Sequence, residues 1–385
     1  MRISDKKRST QLLRLQFVGI VTGIALTISL IGLFLHKQNT DNNQIAKSAD
    51  KSTSELPSLT VPSASPLSLN ETIDNSELAY NVQTSPNLNK NEKLQKTVDE
   101  IVDFTKNQKF PIQTLSITII DVETGEYAGY QQEKLRYPAS VVKLFWMVNL
   151  YAQIEKGILS ETEFPEYLDA MIQKSDNEAA SYIVDRITKT EYRQNIKGEE
   201  YKNWRKKRLK INQYFQKAGY KDINVSQKTF PIPSLKLARP KGSELKLRKN
   251  SQKANLNKIS TQQVARLLYE IHHNKSVSEK SSLKMAELLT IDAGTRNLKR
   301  HDKNLNEFNP VRGFLSASLP DKVDFKGKAG WTSGSRNDAG IITTPNGKSY
   351  ILVVFGEDRA YAHDWQIFPD ISQLVFNQMN KLEME

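Results

Sequence analysis

The amino-acid sequence predicts an α+β fold: an antiparallel sheet flanked by helices, plus an all-helical region. Two observations predict it. Segments with helical periodicity and segments typical of strands follow one another as helix, two strands, a block of helices, three strands and a last helix. The strands therefore stand at both ends of the folded region, with no internal repeat between them. One sheet assembled from both ends, with the helical block inserted between, satisfies that order.

The first elements are a helix and a strand pair. Residues 93–108 place apolar side chains at helical spacing. Residues 115–130 then predict two strands, because β-prone residues flank a turn at Thr124-Gly125.

The helical block begins with residues 137–159, which are apolar almost all round and therefore predict a buried helix. Residues 168–187 predict a second, continuous helix. Ser260, with Gln263 three residues later, is typical of an N-cap and predicts a helix over 261–274.

The remaining strands come from the C-terminal part of the chain. Residues 323–331, 338–344 and 349–356 predict three strands, the last two joined by a Pro-Asn-Gly turn. A final amphipathic helix is expected over 365–382.

The N-terminal part predicts a membrane anchor. Residues 15–35 carry no charge and are about as long as a bilayer core requires, and the basic residues before them place the N-terminus in the cytoplasm. We therefore expect a cytoplasmic tip and single-pass transmembrane signal-anchor over 1–36, with the alternative of a cleaved signal peptide. Polar residues 37–91 predict a flexible linker. The folded domain, 92–385, would then lie on the extracytoplasmic (periplasmic) side of a bacterial cytoplasmic membrane.

The positive charge is concentrated in one segment. Residues 186–258 contain 21 Lys or Arg and 5 Asp or Glu, so they carry a local excess of +16 in a chain of net charge +12. We interpret this segment as a basic insertion in the folded domain. It has the charge to contact an acidic envelope polymer or anionic lipid, while nucleic acid is not expected. The alternative is a solvated lysine-rich surface.

The composition excludes several chemistries. The chain has no cysteine, so disulfides, thiolate nucleophiles and cysteine-bound zinc are excluded. The five histidines form no metal-ligand pattern, and neither a metal nor another cofactor is expected. The chemistry is therefore expected to use Ser, Lys, Asp, Glu, Asn or Arg.

The strongest candidate nucleophile is Ser140. The chain has five Ser-x-x-Lys sequences, but only that of Ser140 and Lys143 opens a buried helix. Residues at i and i+3 share a helix face, so the Lys143 amine can reach the hydroxyl. Burial lowers the pKa of a lysine, and a neutral lysine activates a serine without histidine. The alternative is that Lys143 extends its amine to the surface. The other four begin at Ser4, Ser48, Ser243 and Ser281.

Two further short motifs follow in order. Ser175-Asp176-Asn177 is either part of a site or a capped helix start. Lys328-Ala329-Gly330-Trp331 lies on a predicted strand, where glycine permits a close approach of a ligand to the backbone, and Arg336 comes soon after. The alternative for the strand is an ordinary edge with a surface lysine.

Together these motifs resemble those of class A β-lactamases and penicillin-binding proteins, which carry Ser-x-x-Lys, Ser-Asp-Asn and Lys-Thr-Gly in this order. The resemblance extends over about residues 93–381. It implies that Ser140 is the nucleophile, Lys143 a general base and Ser175 the proton donor to the leaving nitrogen. It further implies substrate-binding roles for six residues: Asn177 toward the side-chain amide, Lys328 and Arg336 toward the carboxylate, and Ala329, Gly330 and Trp331 along the strand. The backbone N–H groups of Ser140 and Trp331 would form the oxyanion hole.

The sequence also departs from the family pattern. Ala329 lacks the hydroxyl that the family offers to the substrate carboxylate, and the stretch between Lys143 and Ser175 is short. The Glu-x-x-Leu-Asn loop, whose glutamate activates the deacylating water, is absent. Glu244 is the only carboxylate between residues 223 and 269; it is either a displaced base or, as we expect, a surface residue of the insertion.

The resemblance therefore implies a serine β-lactamase that acts through an acyl-Ser140 intermediate. The apolar N-terminal run adds the expectation of a membrane anchor, and the absence of the glutamate loop adds the expectation that the acyl-enzyme is hydrolysed slowly. Its partner would be a β-lactam or a D-alanyl peptide. Two alternatives stay open, a D,D-peptidase acting on peptidoglycan and a non-enzymatic penicillin-binding sensor of the cell wall.

Overall fold

The computed structural model describes residues 85–248, 254–304 and 307–382. No helix within these ranges is long and apolar enough to cross a membrane. The predicted membrane span, 15–35, and nearly all of the predicted linker lie outside the described residues.

The predicted α+β fold is confirmed. Six strands form one sheet in the order β1-β3-β2-β6-β5-β4, in which every neighbouring pair is antiparallel except β1 with β3. The strands are β1 (Asn89–Lys90), β2 (Leu115–Asp121), β3 (Glu126–Tyr130), β4 (Asp324–Thr332), β5 (Ser335–Thr343) and β6 (Ser349–Gly356).

The predicted helices are present, except that the one expected over 168–187 is divided into two, and further helices occur in the basic segment, before β4 and after β6. They are α1 (Glu92–Asn107), α2 (Lys143–Glu155), α3 (Pro165–Ile172), α4 (Asn177–Thr188), α5 (Gly198–Lys217), α6 (Gly242–Arg248), α7 (Thr261–His272), α8 (Glu279–Leu288), α9 (Ala293–Arg300), α10 (Arg359–His363) and α11 (Ile367–Leu382).

The sheet is buried on both faces, as the alternation along β6 shows. Ile351, Val353 and Phe355 face the helical block and belong to the larger apolar cluster. Leu352 and Val354 face the other way and pack in a second cluster with side chains of α1 and α11. Successive side chains of a strand point to opposite faces, so β6 contributes to both cores. The sheet is thus a rigid central layer.

Two predicted boundaries are corrected. Asn89 and Lys90 pair with Glu126 and Tyr127 of β3, so the folded domain begins a few residues before the predicted end of the linker at residue 91. The predicted continuous helix over 168–187 is wrong, because the chain forms α3 and α4 with an interruption between them.

The described residues of the basic segment, 186–248 and 254–258, are a folded part of the domain. It begins inside α4 and contains α5 and α6. Trp204 of α5 packs with Ile196 and Leu247 in a small apolar cluster. One face of α5 is therefore anchored, while most of its lysines lie on the outside.

Candidate active site

Ser140 lies in a short 3₁₀ turn, Ala139–Val142, that leads directly into α2. Its side chain is partly exposed, while its neighbours Ala139 and Val141 are buried. Ala139 has a left-handed backbone, with φ of 48°. Such a conformation costs a non-glycine residue on the order of 1–3 kcal/mol and is concentrated at functional sites. The turn thus holds Ser140 at the surface end of a buried helix, as predicted.

Gly330 of β4 lies directly against the backbone around Ser140. A Cβ atom on Gly330 would stand 2.8 Å from the Ser140 nitrogen and 2.9 Å from the Pro138 oxygen. Real Cβ atoms essentially never come this close to backbone atoms, so only glycine fits. The sequence analysis expected a ligand to approach the backbone here; in the structure, the group that approaches is the turn that carries Ser140. This contact brings the edge strand β4 to the candidate nucleophile.

Lys143 is fully buried, which excludes the alternative that its amine reaches solvent. Its Nζ donates to the Ser175 carbonyl at 2.5 Å, to Asn177 Oδ1 at 2.9 Å and, weakly, to Ser175 Oγ at 3.4 Å. Burial and the nearby charge of Lys328 hold the pKa of Lys143 well below its usual range. The described hydrogen bonds of the amine go to residues 175 and 177 and not to Ser140 Oγ.

The interruption between α3 and α4 brings the second motif to this lysine. Ser175 adopts a left-handed backbone, with φ of 57°, and this ends the helical run. Asp176 then caps α4, because its Oδ1 accepts the Ala179 N–H at 2.6 Å. The motif therefore both caps a helix and contributes to the site: the middle residue makes the cap, and its two neighbours contact Lys143.

The Ser175 hydroxyl also contacts the third motif. Lys328 Nζ donates to Ser175 Oγ at 2.9 Å and to the carbonyl of Ala329 at 3.0 Å. Burial lowers the pKa of Lys328 to about 7, and the negative charge of Asp338 partly offsets this effect. Since the same hydroxyl accepts from Lys143, its own proton is free to be donated elsewhere. The structure thus brings together residues from all three predicted motifs.

Phe308 is a neighbour of the site that the sequence analysis missed. Lys328 Nζ lies 5.5 Å from the centre of the Phe308 ring, within the range of a cation–π contact. Phe308 is in the segment before β4 and packs on Phe314, with ring centres 5.8 Å apart. No recognised motif contains it, so nothing in the sequence pointed to this contact.

Arg336 lies outside this group of hydrogen bonds. Its guanidinium is fully buried and donates to the carbonyls of Tyr361, Gly313 and Ala362 at 2.9–3.0 Å. Burial lowers the pKa of Arg336 to about 10, so it stays charged at neutral pH. In this state its donors bind backbone, and its predicted contact with a substrate carboxylate stays a prediction.

Two other residues of the strand motif have well-defined surroundings. Trp331 is 42% exposed, and its indole N–H donates to the Ala362 carbonyl at 2.7 Å. Ala329 is buried. The tryptophan is therefore held at the surface beside α10, at the end of β4.

Glu244 corrects a prediction, because it is buried and is not a surface residue. Its two oxygens accept from both terminal nitrogens of Arg208, at 3.0 and 3.1 Å. Arg208 also binds Asp185, which in turn accepts from Lys228 at 2.5 Å. Two acids and two bases thus compensate one another inside the domain, since an unpaired buried charge is strongly unfavourable. This bidentate pairing also speaks against Glu244 as a displaced base.

The competing Ser-x-x-Lys serines have structural roles where they are described. Ser243 is buried, and its hydroxyl accepts the Arg193 N–H at 3.0 Å. Ser281 is buried and donates to Glu155 at 2.9 Å. Ser4 and Ser48 lie outside the described residues.

An open groove of about 600 Å³ lies elsewhere, between the end of α2 and the start of α8. None of the predicted site residues lines it; Glu155, Leu283 and Lys284 are among those that do. In the described part of the chain, no group of three or more His, Asp or Glu side chains is placed to hold a metal ion.

The chain matches one known protein family in sequence. The sequence matches the family model described as the beta-lactamase enzyme family over residues 93–164 and 160–379. None of the curated proteins is detectably similar in sequence to this chain.

Several solved structures share the fold. A beta-lactamase from Sphaerobacter thermophilus is 16% identical, with a TM-score of 0.51 over 74% of this chain and 98% of its own. A class A beta-lactamase from Bacteroides cellulosilyticus is 18% identical, with a TM-score of 0.51 over 76% and 100%. PBP-A is 16% identical, with a TM-score of 0.50 over 77% and 99%.

Proposed function

Because this chain belongs to the β-lactamase enzyme family, we propose that it opens the β-lactam amide in the class A manner, through an acyl-Ser140 intermediate. The observation that carries the proposal is the position of the Ser175 hydroxyl between the amines of Lys143 and Lys328. Gly330 holds β4 against the backbone of Ser140, so a substrate lying along this edge would meet the nucleophile.

In the proposed acylation, neutral Lys143 takes the proton of the Ser140 hydroxyl, and the Ser140 oxygen bonds to the lactam carbonyl carbon. The carbon–nitrogen bond then breaks. The nitrogen takes the proton of Ser175, which recovers one from the Lys143 ammonium. The product is an ester on Ser140, with both lysines back in their starting states. The backbone N–H groups of Ser140 and Trp331 would stabilise the oxyanion as it forms.

The substrate would be oriented by two polar contacts. Lys328 carries the positive charge nearest to the Ser175 hydroxyl and would bind the substrate carboxylate. Asn177, already bonded to Lys143, would bind the side-chain amide. Arg336 would add its charge to the potential that attracts the carboxylate, since its donors bind backbone carbonyls.

We further propose that the acyl-enzyme is hydrolysed slowly. The deacylating water needs a base within hydrogen-bond reach. Glu244, the only carboxylate of its region, is held by Arg208 in a buried bidentate pair. Glu178, next to Asn177, accepts from the backbone N–H and hydroxyl of Ser234. Losing general-base assistance costs on the order of 10²–10⁴ in rate, so the adduct should persist.

Intact-mass spectrometry after penicillin treatment, followed over time, tests both parts. We expect one adduct on the parent protein and on Ser281→Ala, and none on Ser140→Ala. Labelling of Ser140→Ala equal to that of the parent would disprove the nucleophile assignment. Loss of the adduct within seconds would disprove slow deacylation.

Turnover of a chromogenic cephalosporin separates the alternatives. Sustained turnover supports a β-lactamase. Stoichiometric labelling without turnover supports a penicillin-binding sensor, and release of D-alanine from a stem peptide supports a D,D-peptidase.

The location of the enzyme is part of the proposal. We propose that residues 15–35 anchor the chain in the cytoplasmic membrane, with the catalytic domain on the extracytoplasmic side, because this apolar run follows a basic N-terminus. Resistance of the full chain to carbonate extraction tests the anchor. A mature protein beginning near residue 40 would show that the run is a cleaved signal.

The basic segment suggests an acidic partner. Lys202, Lys206 and Lys210 follow one another at four-residue intervals along α5, and Arg205 and Lys207 flank them; we call these five residues the basic surface. All but the half-buried Lys210 are exposed. We propose that the basic surface binds an acidic polymer of the cell envelope, since charges at this spacing follow one side of a helix.

A further inference from the structure

The cation assigned to the substrate carboxylate is covered in this structure. Lys328 is 2% exposed, although Ser140 is partly open to solvent. Its amine donates to Ser175 and to the Ala329 carbonyl, and the ring of Phe308 lies 5.5 Å away. A carboxylate must approach this amine to about 3 Å to bond with it. The aromatic ring and a carboxylate therefore compete for the same cation.

The segment that carries Phe308 is fastened to β5. The Gly313 carbonyl accepts from Arg336 at 2.9 Å, and Phe314 stacks on the same guanidinium at 4.7 Å. The Leu315 N–H donates to Asp338 at 2.8 Å. Arg336 and Asp338 are two residues apart on β5, so their side chains lie on the same face of the strand, and this face holds the segment in place.

The tip of the segment has local support of its own. Asn309 donates to the Lys299 carbonyl at 2.7 Å, and its Oδ1 accepts the N–H groups of Val311 and Arg312 at 3.0 Å. Phe308 directly precedes this turn. The position of the ring therefore follows from a folded turn as well as from its contact with Lys328.

We propose that Phe308 is a specificity-determining residue, whose ring occupies the carboxylate position on Lys328 and must be displaced by a carboxylate-bearing substrate. This inference rests on the proposed function, because it concerns the rate at which Ser140 is acylated. A carboxylate-bearing β-lactam must replace the cation–π contact to reach Lys328, whereas a neutral ester does not compete for this cation and leaves the ring in place. The ring would thereby reduce the advantage that a carboxylate gives to a substrate.

The test compares a fluorescent penicillin with its methyl ester, which lacks the carboxylate. Phe308→Ala should raise the second-order acylation rate of the free acid by about 2- to 30-fold, the range that corresponds to one cation–π contact. The rate of the ester should stay within about twofold. Phe308→Leu, which keeps bulk but removes the aromatic face, should fall between the parent and the alanine variant. Leu298→Ala, at an exposed position on α9, is the control and should leave both rates unchanged.

Thermal unfolding of each variant shows whether it is folded; if the alanine variant is not, the leucine variant carries the comparison. An equal rise for acid and ester, an unchanged ratio, or a slower reaction of the acid would overturn the role of Phe308 while leaving acylation of Ser140 established. Absence of labelling in both the parent and the variants would overturn the proposed function, and the role of Phe308 with it.

Discussion

The pH dependence of acylation should follow the charge of Lys328. Burial lowers the pKa of this lysine to about 7, so it loses its charge between about pH 6 and 8 instead of above pH 10. The protonated fraction is about 0.9 at pH 6, half at pH 7 and about 0.1 at pH 8. If only the protonated amine binds the carboxylate, the second-order acylation rate should fall about tenfold between pH 6 and pH 8.

The sign of this effect depends on which lysine titrates. Burial and the nearby charge of Lys328 hold the pKa of Lys143 well below its usual range, which favours the neutral form of this base. If Lys143 is neutral throughout pH 6–8, raising the pH removes binding charge without adding base. Were Lys143 the group that titrates near neutrality, the rate would rise with pH instead.

A stopped-flow or gel-based time course with fluorescent penicillin, at constant ionic strength, measures the profile. Lys328→Arg keeps its charge throughout this range, so its profile should be flat. The methyl ester of the same penicillin should give a flat profile with the parent protein. A parent profile that is flat or rising from pH 6 to 8 with the free acid would refute the assignment of Lys328.

Three other perturbations are expected to have defined effects. Gly330→Ala should reduce the rate of acylation at least 100-fold, because the new methyl group would meet the backbone of Ser140 and a displacement of a reacting group by about 1 Å has an effect of this order. Rates of penicillin labelling measure the effect, and a rate near that of the parent would contradict the close contact. Glu244→Gln should lower the free energy of unfolding in urea by about 3 kcal/mol, since it removes a negative charge that balances the buried charge of Arg208. The lifetime of the acyl-Ser140 adduct should stay the same, and a changed lifetime would restore Glu244 as the base. Binding of the folded domain to an acidic envelope polymer should weaken steeply between low and physiological salt, and reversing the charges of the basic surface should abolish it. Sedimentation with the polymer that does not depend on salt would favour the alternative that the basic surface is only solvated.

The nucleophile pair and the strands could be predicted from the sequence because their signals lie among residues that are close together in the chain. Ser140 and Lys143 were found because their helix is apolar on all sides, which makes a polar pair exceptional there. The strands were predicted because β-prone residues and the turns that flank them lie within a few residues of one another. The interruption at Ser175 was missed, since the flanking residues favour helix and only the left-handed backbone reveals it.

Long-range contacts account for the remaining differences. The burial of Glu244 depends on Arg208, 36 residues earlier on another helix, and a local window of a basic segment shows only its surface character. Phe308 lies 20 residues before Lys328 and meets it only through tertiary folding. Neither contact has a signal in spacing or periodicity.

The four-charge group of Asp185, Arg208, Lys228 and Glu244 has a consequence for how the basic segment can vary. The group consists of two acids and two bases and so has no net charge, which means that the positive excess of the segment comes from its other residues. Exchanges among the exposed lysines therefore leave the anchoring of α5 intact. The outer face can change its electrostatic character, and with it the partner that it attracts, while the helix that displays it stays bound to the catalytic domain. Removing the whole segment, in contrast, would strip Asp185 of both its cationic partners and leave a bare carboxylate on α4, the helix that begins at Asn177.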